Sequence, residues 1–333
     1  MGRIALDAMG GDLAPQAPIA AALLAAVELG AEHTLQLVGQ ESVIRDELAK
    51  QLAGASPLLQ ELATRFEIVD APDVILMTDK PSVAIRGKPN SSMAVGIKLQ
   101  AEGKSDAFIS AGNTGAQMAA SVFILRLHEG LQRPAIGTVF PTAKQPIVVL
   151  DSGANVDCSP KELVAFAQLG HVYAKDILGR ANPAIGLLSI GEEAEKGNAA
   201  VKEAHQLLTQ TSLNFLGNVE GRDIPMGACD RGPIDVVVCD GFTGNVLLKF
   251  YEAVAPMLFG MLMKSGVSKE QIGGAMSMLD YAKYGGAPLL GVKGVSIICH
   301  GKSSPEAIKN GILAGLRAHE SGMSNHIGES VSA

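Results

Sequence analysis

Four short stretches of this sequence set glycines beside hydrogen-bonding residues, a pattern that lets backbone amides and side chains close around an anion. They are Asp7-Ala8-Met9-Gly10-Gly11-Asp12, Ser110-Ala111-Gly112-Asn113-Thr114-Gly115, Asp151-Ser152-Gly153-Ala154-Asn155 and Asp240-Gly241-Phe242-Thr243-Gly244-Asn245. Their glycines admit close backbone approach, and Ser110, Asn113, Thr114 and Thr243 add side-chain donors. A single such turn is ordinary turn chemistry, but four that each follow an apolar run point to a binding apparatus. The first lacks the GxGxxG spacing, and GxxxxGK[ST] is absent, so neither a Rossmann dinucleotide site nor a Walker-type ATP site is expected.

Charged loops add further candidates. The segment from Asp79 to Met93 carries Lys80, Arg86 and Lys88 ahead of a helix whose N-cap is Asn90 or Ser91. Arg86 and Lys88 suit a phosphate or a phosphopantetheine arm; a solvated basic loop is the other reading. Lys196, in Gly191-Glu192-Glu193-Ala194-Glu195-Lys196-Gly197-Asn198, either stabilises a developing oxyanion or pairs with Glu192 or Glu193 at the surface. His300, beside Cys299 at a strand end, either touches substrate or bonds to backbone. The spacing of Asp7, Asp12 and Asp240 fits no metal template, and neither metal nor cofactor is expected. Cys158, Cys229, Cys239 and Cys299 lack a CxxC pair, which argues for reduced thiols over zinc or disulfides.

The elements that must carry these loops follow from the apolar pattern. Short apolar runs ending in glycine, serine, asparagine or aspartate alternate with helical periodicity, a βα rhythm. The reading predicts strands over 3–7, 33–38, 66–69, 107–110, 135–140, 147–151, 184–189, 236–239 and 295–299, and helices over 18–29 and 42–52. Ile147-Val148-Val149-Leu150 and Val236-Val237-Val238-Cys239 are continuously apolar, as strands buried on both faces must be. The expected architecture is one α/β/α three-layer sandwich with a mostly parallel sheet, a helical excursion over about 242–284 and a dispensable tail over about 322–333. Residues 246–264 are apolar enough to serve a dimer interface, a membrane-touching surface, an acyl-chain groove or plain core packing.

With 333 residues, 47% of them hydrophobic and 18% charged, the chain is long enough to bury a large core and too apolar for disorder. A net charge of −7 with no basic run argues against nucleic acid as a partner. Asp7 comes too early for a signal-peptide core, and the apolar runs are interrupted, so a soluble protein is expected.

The stretches Asp7 to Asp12, Ser82-Val83-Ala84-Ile85-Arg86-Gly87-Lys88, Ser110 to Ala116 and Cys239 to Asn245, continuing to Ile298-Cys299-His300-Gly301, together resemble the bacterial phosphate acyltransferase family, PlsX. The resemblance spans nearly the whole chain with its motifs in the family's order. It implies transfer of an acyl group from acyl carrier protein to inorganic phosphate, supplying phospholipid synthesis. It also implies a fold similar to isocitrate and isopropylmalate dehydrogenases, a homodimer, and a cytoplasmic enzyme in peripheral contact with the membrane, where a glycerol-3-phosphate acyltransferase would be a partner. Lys196 and Asn245 become the candidate catalytic residues, holding the oxyanion of a tetrahedral intermediate, an assignment drawn partly from the resemblance. A covalent route through Cys158, Cys239 or Cys299 is the competing mechanism. An NAD-dependent hydroxy-acid dehydrogenase on the same fold and a non-catalytic acyl-ligand sensor are the competing functions.

Overall fold

The computed structural model describes residues 1–268, 271 and 284–332. In chain order its strands are β1 (Arg3–Asp7), β2 (Thr34–Gly39), β3 (Glu67–Asp70), β4 (Ala107–Ser110), β5 (Ala135–Ile136), β6 (Thr138–Phe140), β7 (Ile147–Leu150), β8 (Ile185–Leu188), β9 (Phe215–Val219), β10 (Ala228–Cys229), β11 (Gly232–Pro233), β12 (Val236–Val238), β13 (Ala287–Leu290) and β14 (Ser296–Ile298). The helices are α1 (Gln16–Glu28), α2 (Glu41–Leu52), α3 (Pro57–Ala63), α4 (Pro81–Gly87), α5 (Ser92–Ala101), α6 (Thr114–Ile124), α7 (Pro160–Asp176), α8 (Ala199–Leu208), α9 (Asp223–Met226), α10 (Gly241–Lys264), α11 (Pro305–Glu320) and α12 (Met323–Ser332). Contacts gather into two compact units, Met1–Glu129 with Ala282–Gly328 and Gly130–Tyr281 with Glu329–Ala333, where the sequence reading has one body.

In the first unit the sheet runs β3-β2-β1-β4-β14-β13. All its neighbours are parallel except β13, which pairs antiparallel with β14. Ile4 lies opposite both Leu35 and Ala107, and Ile297 lies opposite Ile109, so the central strands bring apolar side chains together in a dry core. Parallel pairing puts the carboxyl ends of β1, β4 and β14 at one edge, which is where Asp7, Ser110 and His300 sit.

The second unit has the order β6-β7-β12-β8-β9, with β6 antiparallel to β7 and the rest parallel. Every residue of β7 and β12 is buried, in line with their unbroken apolar sequences. Leu150, Val238 and Leu187 stand side by side, so the loops after β7, β12 and β8 emerge next to one another. Helix α7 is set by Pro160 in its first turn and a capping box in which Ser159 and Glu162 satisfy each other's amides.

Within the expected excursion over about 242–284 the structure has α10 to Lys264, and residues 269–270 and 272–283 lie outside the described residues. In the tail expected over about 322–333 the chain forms α12, and Met323 and Ile327 are buried. The two larger sheets are mixed and mostly parallel, an α/β fold, and β10 and β11 form a small antiparallel pair.

Candidate functional site

In the second unit a buried carboxylate organises the loop that follows β7. Asp151 is fully buried; its Oδ1 accepts N–H bonds from Ile136 (2.9 Å), Ala154 (3.1 Å) and Gly153 (3.3 Å). Its Oδ2 accepts from the Asn155 backbone at 2.7 Å and from Asn155 Nδ2 at 2.9 Å. Burial pushes its pKa up, and these donors pull the other way. Asn155 is equally engaged, because Nδ2 also donates to the Pro134 carbonyl at 2.8 Å. Both are expected from the sequence to bind substrate; in the structure the Asp151 carboxylate is enclosed by these donors, and the two side chains together shape the loop after β7.

Helix α10 starts on that loop. Asp240 caps it, its Oδ1 accepting the Thr243 N–H at 2.7 Å and its Oδ2 the Thr243 hydroxyl at 3.0 Å. Gly241 N–H donates to the Asn155 carbonyl at 2.8 Å, which clamps the first turn to the loop. The clamp needs glycine: a Cβ at Gly241 would sit 2.5 Å from Asn155 O and 2.6 Å from Asp151 Oδ2, and one at Gly244 would overlap the Asp151 carbonyl. Gly153, at φ +132°, lies against Asn245. Asn245 itself is exposed, and among the described residues its amide has no hydrogen-bond partner.

The loop after β8 carries Lys196. The two carboxylates offered to it by sequence are otherwise disposed: Glu192 pairs with Arg222 at 3.1 Å and Arg231 at 3.5 Å, and no ion pair joins Glu193 to Lys196 among the described residues. Lys196 is exposed and forms no salt bridge among the described residues. The loop is held from beneath by Asn218, a fully buried residue of β9. Asn218 Nδ2 donates to the Glu193 carbonyl at 2.7 Å, its Oδ1 meets His205 Nδ1 at 3.1 Å, and its own carbonyl takes an Arg231 N–H. Sequence reading missed Asn218, although a polar residue inside the strand Phe215–Val219 is its signal.

The first unit has its own hub. Asp7 is buried, with Oδ1 accepting the Met9 N–H at 3.1 Å and Oδ2 the Ser110 hydroxyl at 2.7 Å, while Ser110 Oγ accepts the Gly112 N–H at 2.9 Å. Burial raises the Asp7 pKa against the lowering effect of bonds from Ser92, Ser110, Met9 and Gly10. Gly10 is required here, since a Cβ would come within 2.5 Å of Asp7 Oδ2. Asn113 caps α6 through Ala116 N–H at 3.0 Å and donates to the carbonyls of Leu76, Met77 and Asp79. Lys88 is tied to Asp79 at 2.5 Å and to the Val74 carbonyl at 2.9 Å, and this bond holds the Asp79 carboxyl below its ordinary range. Asp7, Ser110, Asn113 and Lys88, expected from the sequence to bind substrate, are thus each engaged by protein partners in this structure.

Arg86, Asp12, Thr114 and His300 are exposed. Arg86 has no ion-pair partner among the described residues, and Asp12 is fixed by its N–H donating to the Gly301 carbonyl at 2.8 Å. His300 Nδ1 accepts the Lys302 N–H at 3.1 Å, the backbone bonding that was one of its two sequence readings. Ser91 is the N-cap of α5, accepting from Ala94 N–H at 3.3 Å. Burial pushes the Cys158 and Cys299 thiols up to about 12 and the Cys239 thiol well above its ordinary value, the opposite of what a cysteine nucleophile needs.

Residues 2–326 match the family described as fatty acid synthesis protein. The chain is 48% identical to a phosphate acyltransferase of Desulforamulus reducens, covering 99% of this chain and 97% of that one. It is 45% identical to a phosphate acyltransferase of Pelotomaculum thermopropionicum, covering 99% and 95%. Among solved structures it is similar to the EutD phosphotransacetylase from Staphylococcus aureus, with TM-score 0.63, 15% identity, and coverage of 96% and 94%. A phosphotransacetylase from Streptococcus pyogenes gives TM-score 0.62 at 18% identity, with coverage of 96% and 94%. These structural likenesses bear on the fold.

Proposed function

Because the chain belongs to the fatty acid synthesis protein family, beside relatives named phosphate acyltransferase, we propose that it moves a fatty acyl group from acyl carrier protein onto inorganic phosphate. The observation that carries the chemistry is the pair of uncommitted groups on adjacent strand ends of the second unit. Lys196 follows β8, Asn245 follows β12, and those strands are hydrogen-bonded neighbours.

In this mechanism a phosphate oxygen attacks the thioester carbonyl carbon, a C–O bond forms, and the carbonyl π pair moves onto oxygen. The Lys196 ammonium and the Asn245 amide N–H stabilise that oxyanion. Collapse reforms the carbonyl and breaks the C–S bond; the electron pair leaves on the carrier thiolate, which takes a proton from solvent, and acyl phosphate remains. A thiolate is a good leaving group, so no strong general acid is required. The high thiol pKa values favour direct attack over an acyl-cysteine.

Arg86, Asp12, Thr114 and His300 are assigned to substrate binding in the first unit, with the Gly10, Gly11 and Gly112 backbone. The same proposal includes a cytoplasmic homodimer in peripheral contact with the membrane, supplying acyl phosphate to phospholipid synthesis, and the finer isocitrate/isopropylmalate dehydrogenase-like fold. Helix α10 supports the surface part: by length and composition it could cross a bilayer, and Phe250, Met257, Met261 and Met263 are exposed along it. Its opposite side packs Leu247, Leu248 and Tyr251 on the core of the second unit, which favours surface contact over a membrane span.

Mixing purified protein with acyl carrier protein thioester and phosphate, and following the carrier thiol, tests the proposal. Thiol release that depends on phosphate is expected; release that ignores phosphate, or none, refutes it.

A further inference from the structure

The edge of the second unit that bears Lys196 and Asn245 is otherwise made of polar loops, yet each of its three central strands is followed by one large apolar side chain left in water. Val156 after β7 is 65% exposed, Ile190 after β8 is 82% exposed, and Phe242 after β12 is 64% exposed. Scattered singly, such residues need no explanation. These are not scattered. The strands β7, β12 and β8 are consecutive in the sheet, and the Gly241 N–H to Asn155 carbonyl bond fixes the residues that follow each, Phe242 and Val156, on neighbouring segments. Phe242 and Asn245 are three residues apart in the first turn of α10, so they share a helix face, and Val246 extends the apolar strip by one turn.

An apolar strip that begins beside an uncommitted amide and an uncommitted ammonium is complementary to a ligand with a polar reacting head and a hydrocarbon tail. We propose that Val156, Ile190 and Phe242 form the subsite for the acyl chain of the thioester and set the chain-length selectivity of transfer. This rests on the acyl-transfer reading above. The carbonyl lies at Lys196 and Asn245, and the tail leaves water along Phe242 and Val246. A short acyl group gains little from the strip, whereas a long one gains in proportion to the methylenes it buries.

The test compares palmitoyl and butyryl thioesters of the same acyl carrier protein, so that carrier contacts cancel, in the parent protein and in Phe242→Ala, Ile190→Ser and Leu58→Ser. Leu58, an exposed residue of α3, is the control. The palmitoyl-to-butyryl ratio of kcat/KM is expected to fall about tenfold in Phe242→Ala and Ile190→Ser and to stay at the parent value in Leu58→Ser. A ratio unchanged in the first two variants, or both substrates falling equally, overturns the subsite; an equal fall with loss of dimer would assign the strip to a second copy. If the parent releases no thiol in response to phosphate from either thioester, the transferase reading fails and takes the subsite with it.

Discussion

Replacing Gly241 by alanine tests whether the first turn of α10 is positioned by contact with the loop after β7. The added Cβ would stand 2.5 Å from Asn155 O, 2.9 Å from Asn155 N and 2.6 Å from Asp151 Oδ2, whereas ordinary contact begins near 3.4 Å. Two of these atoms are backbone, and the third belongs to a carboxylate held by five N–H donors, so none can swing aside. The helix must therefore retreat by about 0.9 Å, losing the 2.8 Å bond from Gly241 N–H and drawing Asn245 away from Gly153. Overpacking of this kind costs about 1–3 kcal/mol. A displacement near 1 Å at a reacting centre costs about a hundredfold in rate. Gly260→Ala in the same helix has open space around the new methyl and should gain up to about 1 kcal/mol from helix propensity. Thermal unfolding and phosphate-dependent thiol release, measured on both variants, should diverge in opposite directions for stability, with the rate loss confined to Gly241→Ala. Parent-like turnover in Gly241→Ala would refute the clamp.

Lys196→Ala and Asn245→Ala should each lower kcat by about 100- to 1000-fold while stability stays within about 0.5 kcal/mol, since neither side chain is engaged in the fold; near-parent turnover in steady-state assays would remove them from the mechanism. Arg86→Ala should raise KM for the carrier substrate or for phosphate with kcat nearly unchanged, and unaltered KM for both would exclude a binding role. Burial raises the folded-state pKa of Asp7 above the ordinary 3.8, so its contribution to stability is fully present below 3.8 and is lost as pH rises through the folded value. Urea unfolding of Asp7→Asn across that window should lack this part of the slope, at most about 1.4 kcal/mol per pH unit. Parallel pH profiles for variant and parent would contradict it.

The strand cores were legible because burial on both faces demands unbroken apolar runs, as in Ile147–Leu150 and Val236–Val238. The stretch 135–140, read as one strand, is split around Gly137 into Ala135–Ile136 and Thr138–Phe140. Strand β9 was missed because Gly217, at φ +94°, and Asn218 interrupt its apolar pattern, and β13 because Pro288 and the preceding Gly285-Gly286 read as a turn. The glycine-containing loops were legible as a set, but not which of their side chains the fold engages. Asp7 and Asp12 look alike in sequence, yet one is a buried hub and the other is exposed. Arg86 in the last turn of α4 and Lys88 at its C-cap are two residues apart, and only the three-dimensional approach of Asp79 decides which of them is engaged. Local pattern reports where a chain turns; it carries no record of which distant group meets a side chain.

Helix α10 has a mechanical consequence. At 1.5 Å per residue, its stretch from Gly241 to Ala255 is a strut about 22 Å long, capped by Asp240 and clamped to the loop after β7. Pro256 offers no N–H to the Glu252 carbonyl, so the rod loses a rung there. Met257, Met261 and Met263, all exposed, therefore stand on the far side of that missing rung from Asn245.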